Sequence, residues 1–334
     1  MLVGYSGIEH IGRHLAQAAD QIGLPLQFAD AQEAFRAPLF IQKLNWWLRG
    51  HLPTRLKLFS DELVRSCQKF RPTYLITTGI SPVSERALER IGKLGILRIN
   101  YLTDNPFNSV HRAPWFVKSL PYYDQVFSVR RSNLERLNQA GCRRIAYLPF
   151  AYAPELHYPE KPSTTEEKNQ FESDVVFYGG ADRDRIPYIN ALTKSGFKLA
   201  LYGGYWGRCP ETRGHTKGPA DPRTLRFAVG CSRIALCLVR RANQDGNSMR
   251  TFEIPAMGGC LLAEDTKEHR EIFGEEGKVV VYFQSVQEMV DKVRWLLGHH
   301  QKRQALAQAA HELIINGHHT YRDRLMAILD PFHE

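Results

Sequence analysis

Between Asp245 and Cys260 the chain reads Asp-Gly-Asn-Ser-Met-Arg-Thr-Phe-Glu-Ile-Pro-Ala-Met-Gly-Gly-Cys, a run whose residue types suit one kind of ligand. Asp245 and Gly246 make a loop, Ser248 can cap a helix start, and the exposed amides of such a start attract phosphate. Arg250 adds a planar cation beside them. Glu253, three residues on, shares a face with Arg250, and its carboxylate can accept two hydrogen bonds from a cis-diol such as a ribose. Pro255 keeps the helix short or kinked, and Gly258 and Gly259 end it. Phosphate and diol recognition in one turn-helix-turn unit is what a nucleotide-sugar ligand calls for.

Other chemistry-bearing runs read differently. Asp182-x-Asp184 has the spacing of a divalent-ion site against a diphosphate. Arg183 and Arg185 flank it and already offset phosphate charge, so no metal is expected there. Asp184 is expected to cap a helix opening at Ile186-Pro187. Gly203-Gly204-Tyr205-Trp206-Gly207 follows a strand, but Arg208, Cys209 and Pro210 come next instead of a helix, so it fails as a dinucleotide fingerprint. A plain turn is the expectation, with Tyr205 or Trp206 beside a base as the alternative. His299-His300 and His318-His319 lack acidic or cysteine partners at ligand spacing.

These residues sit in a chain of 334 with 43% apolar and 24% charged residues, ordinary for a globular protein and long enough for two cored domains. No run approaches the ~20 apolar residues of a membrane span, and the start lacks the blocks of a signal peptide, so the expected compartment is the cytoplasm. Six cysteines without a C-x-x-C pair are expected to be reduced. The formal charge of +9 is spread along the chain. It fits acidic small ligands or a peripheral contact with a membrane surface, and no nucleic-acid reading motif accompanies it.

The elements that must position the chemistry alternate in type. Strands are expected at residues 2–5, 26–29, 74–77, 96–102, 125–129 and 145–149, with helices at 11–22, 56–67, 84–94 and 132–140. Residues 152–173, rich in Pro, Glu, Lys, Ser and Thr, read as a linker. Strands then recur at 174–178, 198–202, 233–239, 260–263 and 279–283. Helices come between them near 187–194, 222–229 and 249–257, then at 285–297 behind the capping box Ser285-x-x-Glu288, with a helical tail from 302. The fold class is therefore α/β: two Rossmann-like parallel-sheet domains facing a cleft, with ligands at the carboxyl ends of the strands.

At these residues the sequence resembles the group 1 glycosyltransferases of the two-domain GT-B fold, in particular the spore-maturation CgeB-like branch. The marks are Phe177-Tyr178-Gly179-Gly180, Asp245-Gly246 with Arg250-Thr-Phe-Glu-Ile-Pro-Ala-Met-Gly-Gly, Glu264-Asp265-Thr266, Tyr282-Phe283 and His319-Thr320-Tyr321-x-x-Arg324-Leu325; Tyr101 to Phe107 fits the acceptor-side domain. The resemblance implies an acceptor-side domain at 1–151, the linker at 152–173, a donor domain at 174–300 and helices at 301–334 that pack back toward the first domain. It implies a hexosyltransferase-like enzyme that needs no cofactor besides a nucleotide-diphosphate sugar and acts on a glycan, lipid, protein or small-molecule acceptor. A catalytically inactive nucleotide- or glycan-binding protein of envelope or spore-coat assembly is the alternative. Glu253 matches the ribose-holding second glutamate of many retaining members. Asp245, eight positions earlier, stands near where their first glutamate is found and is one methylene shorter. Gly180, Arg183 and Arg185 match the loop that approaches the pyrophosphate, joined by Gly246, Ser248 and Arg250. If the reaction inverts configuration, His10 (or its neighbour Glu9) and Asp104 are the rival general bases.

Overall fold

The computed structural model describes residues 1–108, 113–244 and 246–330, and divides into two compact units. The first holds Met1–Pro149 and the last helix; the second runs Phe150–Thr320.

In the first unit the order is β1 (Leu2–Gly4), α1 (Ile11–Gln21), β2 (Phe28–Asp30), α2 (Leu39–Leu48), α3 (Leu56–Phe70), β3 (Tyr74–Thr78), α4 (Glu85–Gly92), β4 (Leu97–Leu102), α5 (Pro114–Ser119), β5 (Gln125–Ser128), α6 (Leu134–Gln139) and β6 (Ile145–Tyr147). All six strands are parallel, in the order β2-β1-β3-β4-β5-β6. Strands such as Tyr74–Thr78 and Gln125–Ser128 are buried almost throughout, as expected of a sheet covered by helices on both faces. The core is filled from the strands by Val3, Leu75 and Val126 and from the helices by Phe59, Leu63, Leu88 and Phe116.

The second unit contains α7 (Thr165–Phe171), β7 (Ser173–Tyr178), α8 (Ile186–Lys194), β8 (Leu199–Tyr202), α9 (Pro210–Arg213), β9 (Thr216–Gly218), α10 (Pro222–Cys231), β10 (Ser232–Cys237), α11 (Met249–Ala256), β11 (Leu261–Glu264), α12 (Lys267–Phe273), β12 (Val281–Phe283), α13 (Val286–Gly298) and α14 (His300–Asn316). Its parallel sheet runs β12-β11-β10-β7-β8-β9. The chain thus winds outward from β7 to β9, returns to β10 beside β7, and winds the other way. The gap between β7 and β10 is the topological switch point, where loops leave in opposite directions and open a crevice. In the first unit the same point lies between β1 and β3.

Four segments differ from expectation. Strand β9 is an extra edge strand; it is short, partly exposed and irregular in register, so it carries no apolar alternation. Helix α2 was not anticipated from periodicity. Residues 152–173 belong to the second unit: α7 packs on α10 with the Phe171 and Phe227 rings 5.5 Å apart, and Arg226 binds Glu160 at 2.6 Å. At the end of the chain, α14 packs against α11 in the second unit, whereas α15 (Tyr321–Leu329) packs on α1 in the first. There Tyr321 stacks on His14 with ring centroids 4.8 Å apart, and Arg324 Nε donates to the Pro149 carbonyl at 2.9 Å.

Candidate functional site

The switch point of the second sheet is lined by the loops after β7 and β10. Helix α11 starts above Cys237, the last residue of β10, with Ser248 at its N-cap. Ser248 Oγ lies 3.5 Å from Cys237 Sγ. The Ser248 amide donates to Thr251 Oγ1 at 3.0 Å, which pairs with His269 Nε2 at 2.9 Å. The other ring nitrogen, Nδ1, lies 2.7 Å from the Glu264 carbonyl. A carbonyl only accepts, so Nδ1 carries the proton and Thr251 donates to Nε2. Burial holds His269 neutral by lowering its pKa, which keeps this relay in one orientation. The start of α11 is thereby fixed from β11 and α12.

Glu253 is 6% exposed on this helix. Its Oε2 accepts from the Tyr178 hydroxyl at 3.2 Å, at the end of β7, and its Oε1 lies 3.7 Å from His157 Nε2. Burial pushes the carboxyl up to about 7, against the opposing pull of Arg250 and the Tyr178 bond. His157 moves the other way, to about 4, through burial and then the nearby Arg226. The Ala153 amide donates to His157 Nδ1 at 3.1 Å, so the neutral ring presents Nε2–H toward Glu253. Between about pH 4 and pH 7 a buried acid and a buried base thus face each other with both groups mainly neutral.

Beside them lies a cationic cluster. The guanidinium groups of Arg185 and Arg250 lie over the Phe177 ring, 5.6 and 5.8 Å from its centroid. The Nε atoms of both are buried without a hydrogen-bond partner among the described residues. Arg185 is 3% exposed, and burial followed by repulsion from Arg250 brings its pKa down to about 10. Its Nη1 donates to the Gly180 carbonyl at 3.2 Å and lies 3.4 Å from Asp182. Gly179 has φ of +148°, and a β-carbon there would come within 3.2 Å of Arg250 Nη2, so glycine is what lets the arginine approach this backbone. Unpartnered buried N–H groups on two mutually repelling cations are costly unless an anion joins them.

The other predicted residues fall as follows. Arg183 is exposed and forms no ion pair among the described residues. Gly246 is buried; a β-carbon there would lie 2.0 Å from the Glu268 carboxyl, so α12 accounts for the glycine. Asp245 lies outside the described residues. The expected cap of α8 is corrected. The helix has Arg185 at its N-cap and no side chain caps it; Asp182 accepts the amides of Asp184 and Arg185, at 3.1 and 2.9 Å, in the turn that precedes the helix. The Asp182 carboxylate also faces Arg185 and Arg240, at 3.4 and 3.7 Å. Trp206 is fully buried and donates to the Gly179 carbonyl at 2.8 Å, so it supports the glycine loop from within the core; Tyr205 is 62% exposed.

In the first unit, Asp104 borders a cavity of about 410 Å³ shared with Tyr5, Ile80 and Trp115 at that sheet's switch point. Trp115 Nε1 is buried there without a partner among the described residues. Burial and then Asp104 push the Tyr5 hydroxyl up to about 12. His10 is exposed at the start of α1 and is not among the residues lining the cavity. Sequence reasoning missed the positioning roles of Tyr178, His157, Thr251, His269 and Glu264. Of these, Tyr178, Thr251 and Glu264 stood in runs already singled out.

Comparison with solved structures bears on this arrangement. A sucrose-phosphate synthase from Thermosynechococcus elongatus superposes with a TM-score of 0.69 at 11% identity, over 95% of this chain and 91% of that one. A glycosyltransferase from Rickettsia africae does so at 0.64 and 11%, over 99% and 96%. The chain has the GT-B fold. Anabaena HepE, solved in complex with UDP-glucose, shares this GT-B architecture at a TM-score of 0.62 and 12% identity, over 95% of this chain and 89% of that one. Residues 185–330 match the model of a family described as glycosyl transferase-like, a stretch that includes Arg185, Arg250 and Glu253. No curated protein matches the sequence.

Proposed function

We propose that the chain is a metal-independent glycosyltransferase that takes a sugar from a nucleotide-diphosphate donor held by its second unit. The observation that carries this reading is a buried carboxylate, Glu253, next to two guanidinium groups with unpartnered Nε atoms, at the point where a doubly wound sheet opens a ligand crevice. Arg250 and Arg185 would meet the diphosphate and stabilise the charge that grows on it as the glycosidic bond breaks. Glu253, once ionised, would accept the two ribose hydroxyls, and Asp245 would contact the donor sugar. The acceptor would lie against the first unit, where Asp104 borders a cavity and His10 does not, so Asp104 is the better-placed base if configuration inverts. The motif set from Phe177 to Leu325 supports the CgeB-like branch. No described helix is long and apolar enough to cross a membrane, and we place the reaction in the cytoplasm.

The UDP-glucose complex of HepE makes uridine diphosphate hexoses the first donors to try. The protein is incubated with UDP-, GDP- and ADP-sugars, with and without chelator, and release of the nucleoside diphosphate is followed for wild type and Glu253→Ala. Chelator-insensitive turnover of one donor, lost in the variant, is expected. No turnover of any donor, or an unaffected Glu253→Ala, would overturn the reading.

A further inference from the structure

The first unit carries a helix whose polarity is reversed. On α2 the exposed residues include Leu39, Phe40, Trp47 and Leu48, at 75, 71, 79 and 76% of their full accessibility, with Leu44 at 44%. Among its described side chains the buried one is polar: Asn45 is 5% exposed and donates to Thr54 Oγ1 at 2.9 Å, with Ile41 half-buried one turn before it. At 100° per residue, Leu39, Phe40, Lys43, Leu44, Trp47 and Leu48 fall on one half of the helix. Large contiguous apolar surface on a folded chain marks a place where something docks.

The charge around it says what. From residue 34 to residue 60 there is no Asp or Glu, while Arg36, Lys43, Arg49, Arg55 and Lys57 are all cationic. Arg36 is paired with Glu33 at 2.7 Å; among the described residues the other four form no ion pair. Exposed apolar and tryptophan side chains on a helix that carries Lys43 and ends at Arg49 complement an anionic bilayer surface, where the rings reach the acyl boundary and the cations stay among headgroups. A second copy of the chain fits less well. A two-fold contact sets a patch against itself, and these cations would then meet cations. With ten residues, α2 is far too short to span a bilayer and would lie along its surface.

We propose that α2 is a membrane-docking helix that seats the first unit on an anionic lipid surface. The helix and the turn after it also supply Gln42, His51, Leu52 and Thr54 to the wall of the cavity beside Asp104, so docking sets that cavity at the edge of the bilayer. The inference does not depend on the reading of the second unit.

Its test is co-sedimentation of the full chain with phosphatidylcholine vesicles, with and without phosphatidylglycerol. Wild type is expected to pellet with the anionic vesicles and to bind at least tenfold more weakly to the neutral ones. Lys43→Glu with Arg49→Glu should remove that preference, and Phe40→Ser with Trp47→Ser and Leu48→Ser should abolish binding. These side chains are exposed, so the apolar variant should melt no lower than wild type. The proposal is overturned if wild type stays in solution with anionic vesicles, if the apolar variant still pellets, or if sedimentation velocity shows a dimer that this variant dissolves while vesicles bind neither protein.

Discussion

Helices α11 and α2 both break the rule that apolar residues go inside, and they break it in opposite senses. Helix α11 buries a carboxylate, Glu253, against Tyr178 and His157; α2 exposes Leu39, Phe40, Trp47 and Leu48 and buries Asn45. In the first case the departure raises an acid to about 7 and leaves two arginines with unpartnered N–H groups, a state that a small anionic diol ligand relieves. In the second, apolar surface stays in water, a state that only an extended apolar surface relieves. If both proposals hold, a fold of ordinary α/β parts displays its binding chemistry where the burial rule fails, and the sign of the failure indicates the ligand.

The sharpest way to break the comparison is to show that the two regions respond to the same change. Arg250→Ala should weaken binding of the donor's nucleoside diphosphate about a hundredfold, the scale of losing charge-assisted hydrogen bonds. The Phe40, Trp47 and Leu48 serine variant should leave that affinity within about twofold, because additivity holds for sites without shared partners. Both are read by calorimetric titration.

Of similar size is the pH dependence of folding. An acid raised from 4.5 to about 7 binds its proton more tightly in the folded state, so the Glu253 contribution falls as pH rises from 4.5 to 7. A base lowered from 6.5 to about 4 gives the opposite sign, and the His157 contribution rises across pH 4 to 6.5. Each is on the order of 3 kcal/mol, and in wild type they largely cancel. Denaturant melts of Glu253→Gln should therefore show stability rising with pH up to about 6.5, and those of His157→Phe should show it falling up to about 7. Parallel curves in the two variants would mean the pair does not face as described.

The smallest effect concerns the relay beneath α11. Thr251→Val leaves the Ser248 amide and His269 Nε2 without Thr251 Oγ1, which should cost about 1 to 3 kcal/mol of stability. Vesicle binding through α2 should be untouched.

How much of this the sequence disclosed follows from the same contrast. All six strands of the first sheet and five of the six in the second were legible, because buried parallel strands are short apolar runs bounded by turn residues. Glu253, Arg250 and Arg185 were legible as types at spacings on a loop and helix after a strand. Helix α2 was not, because periodicity assigns the apolar stripe of a helix to the core and Leu39–Leu48 turns that stripe outward. His157 was lost in a stretch whose Pro and charged residues read as a linker, and its partner lies far away in sequence, in Glu253. The expected cap by Asp184 failed because α8 opens at Arg185 with no side-chain cap, and the carboxylate that reaches two amides, Asp182, sits in the turn before it, a matter of loop geometry that residue type leaves open.

The central claim is that Glu253 and its cationic neighbours hold the donor's nucleotide, and proton counting on binding tests it most directly. A ribose diol needs the ionised Glu253, so at pH 6, below its pKa of about 7, binding must expel a proton. Titration of the donor's nucleoside diphosphate in two buffers of different ionisation enthalpy should show wild type releasing most of one proton more than Glu253→Gln, with affinity rising more steeply toward pH 7 in wild type than in the variant. Equal proton release by the two proteins, or binding of equal strength in both, would contradict the account.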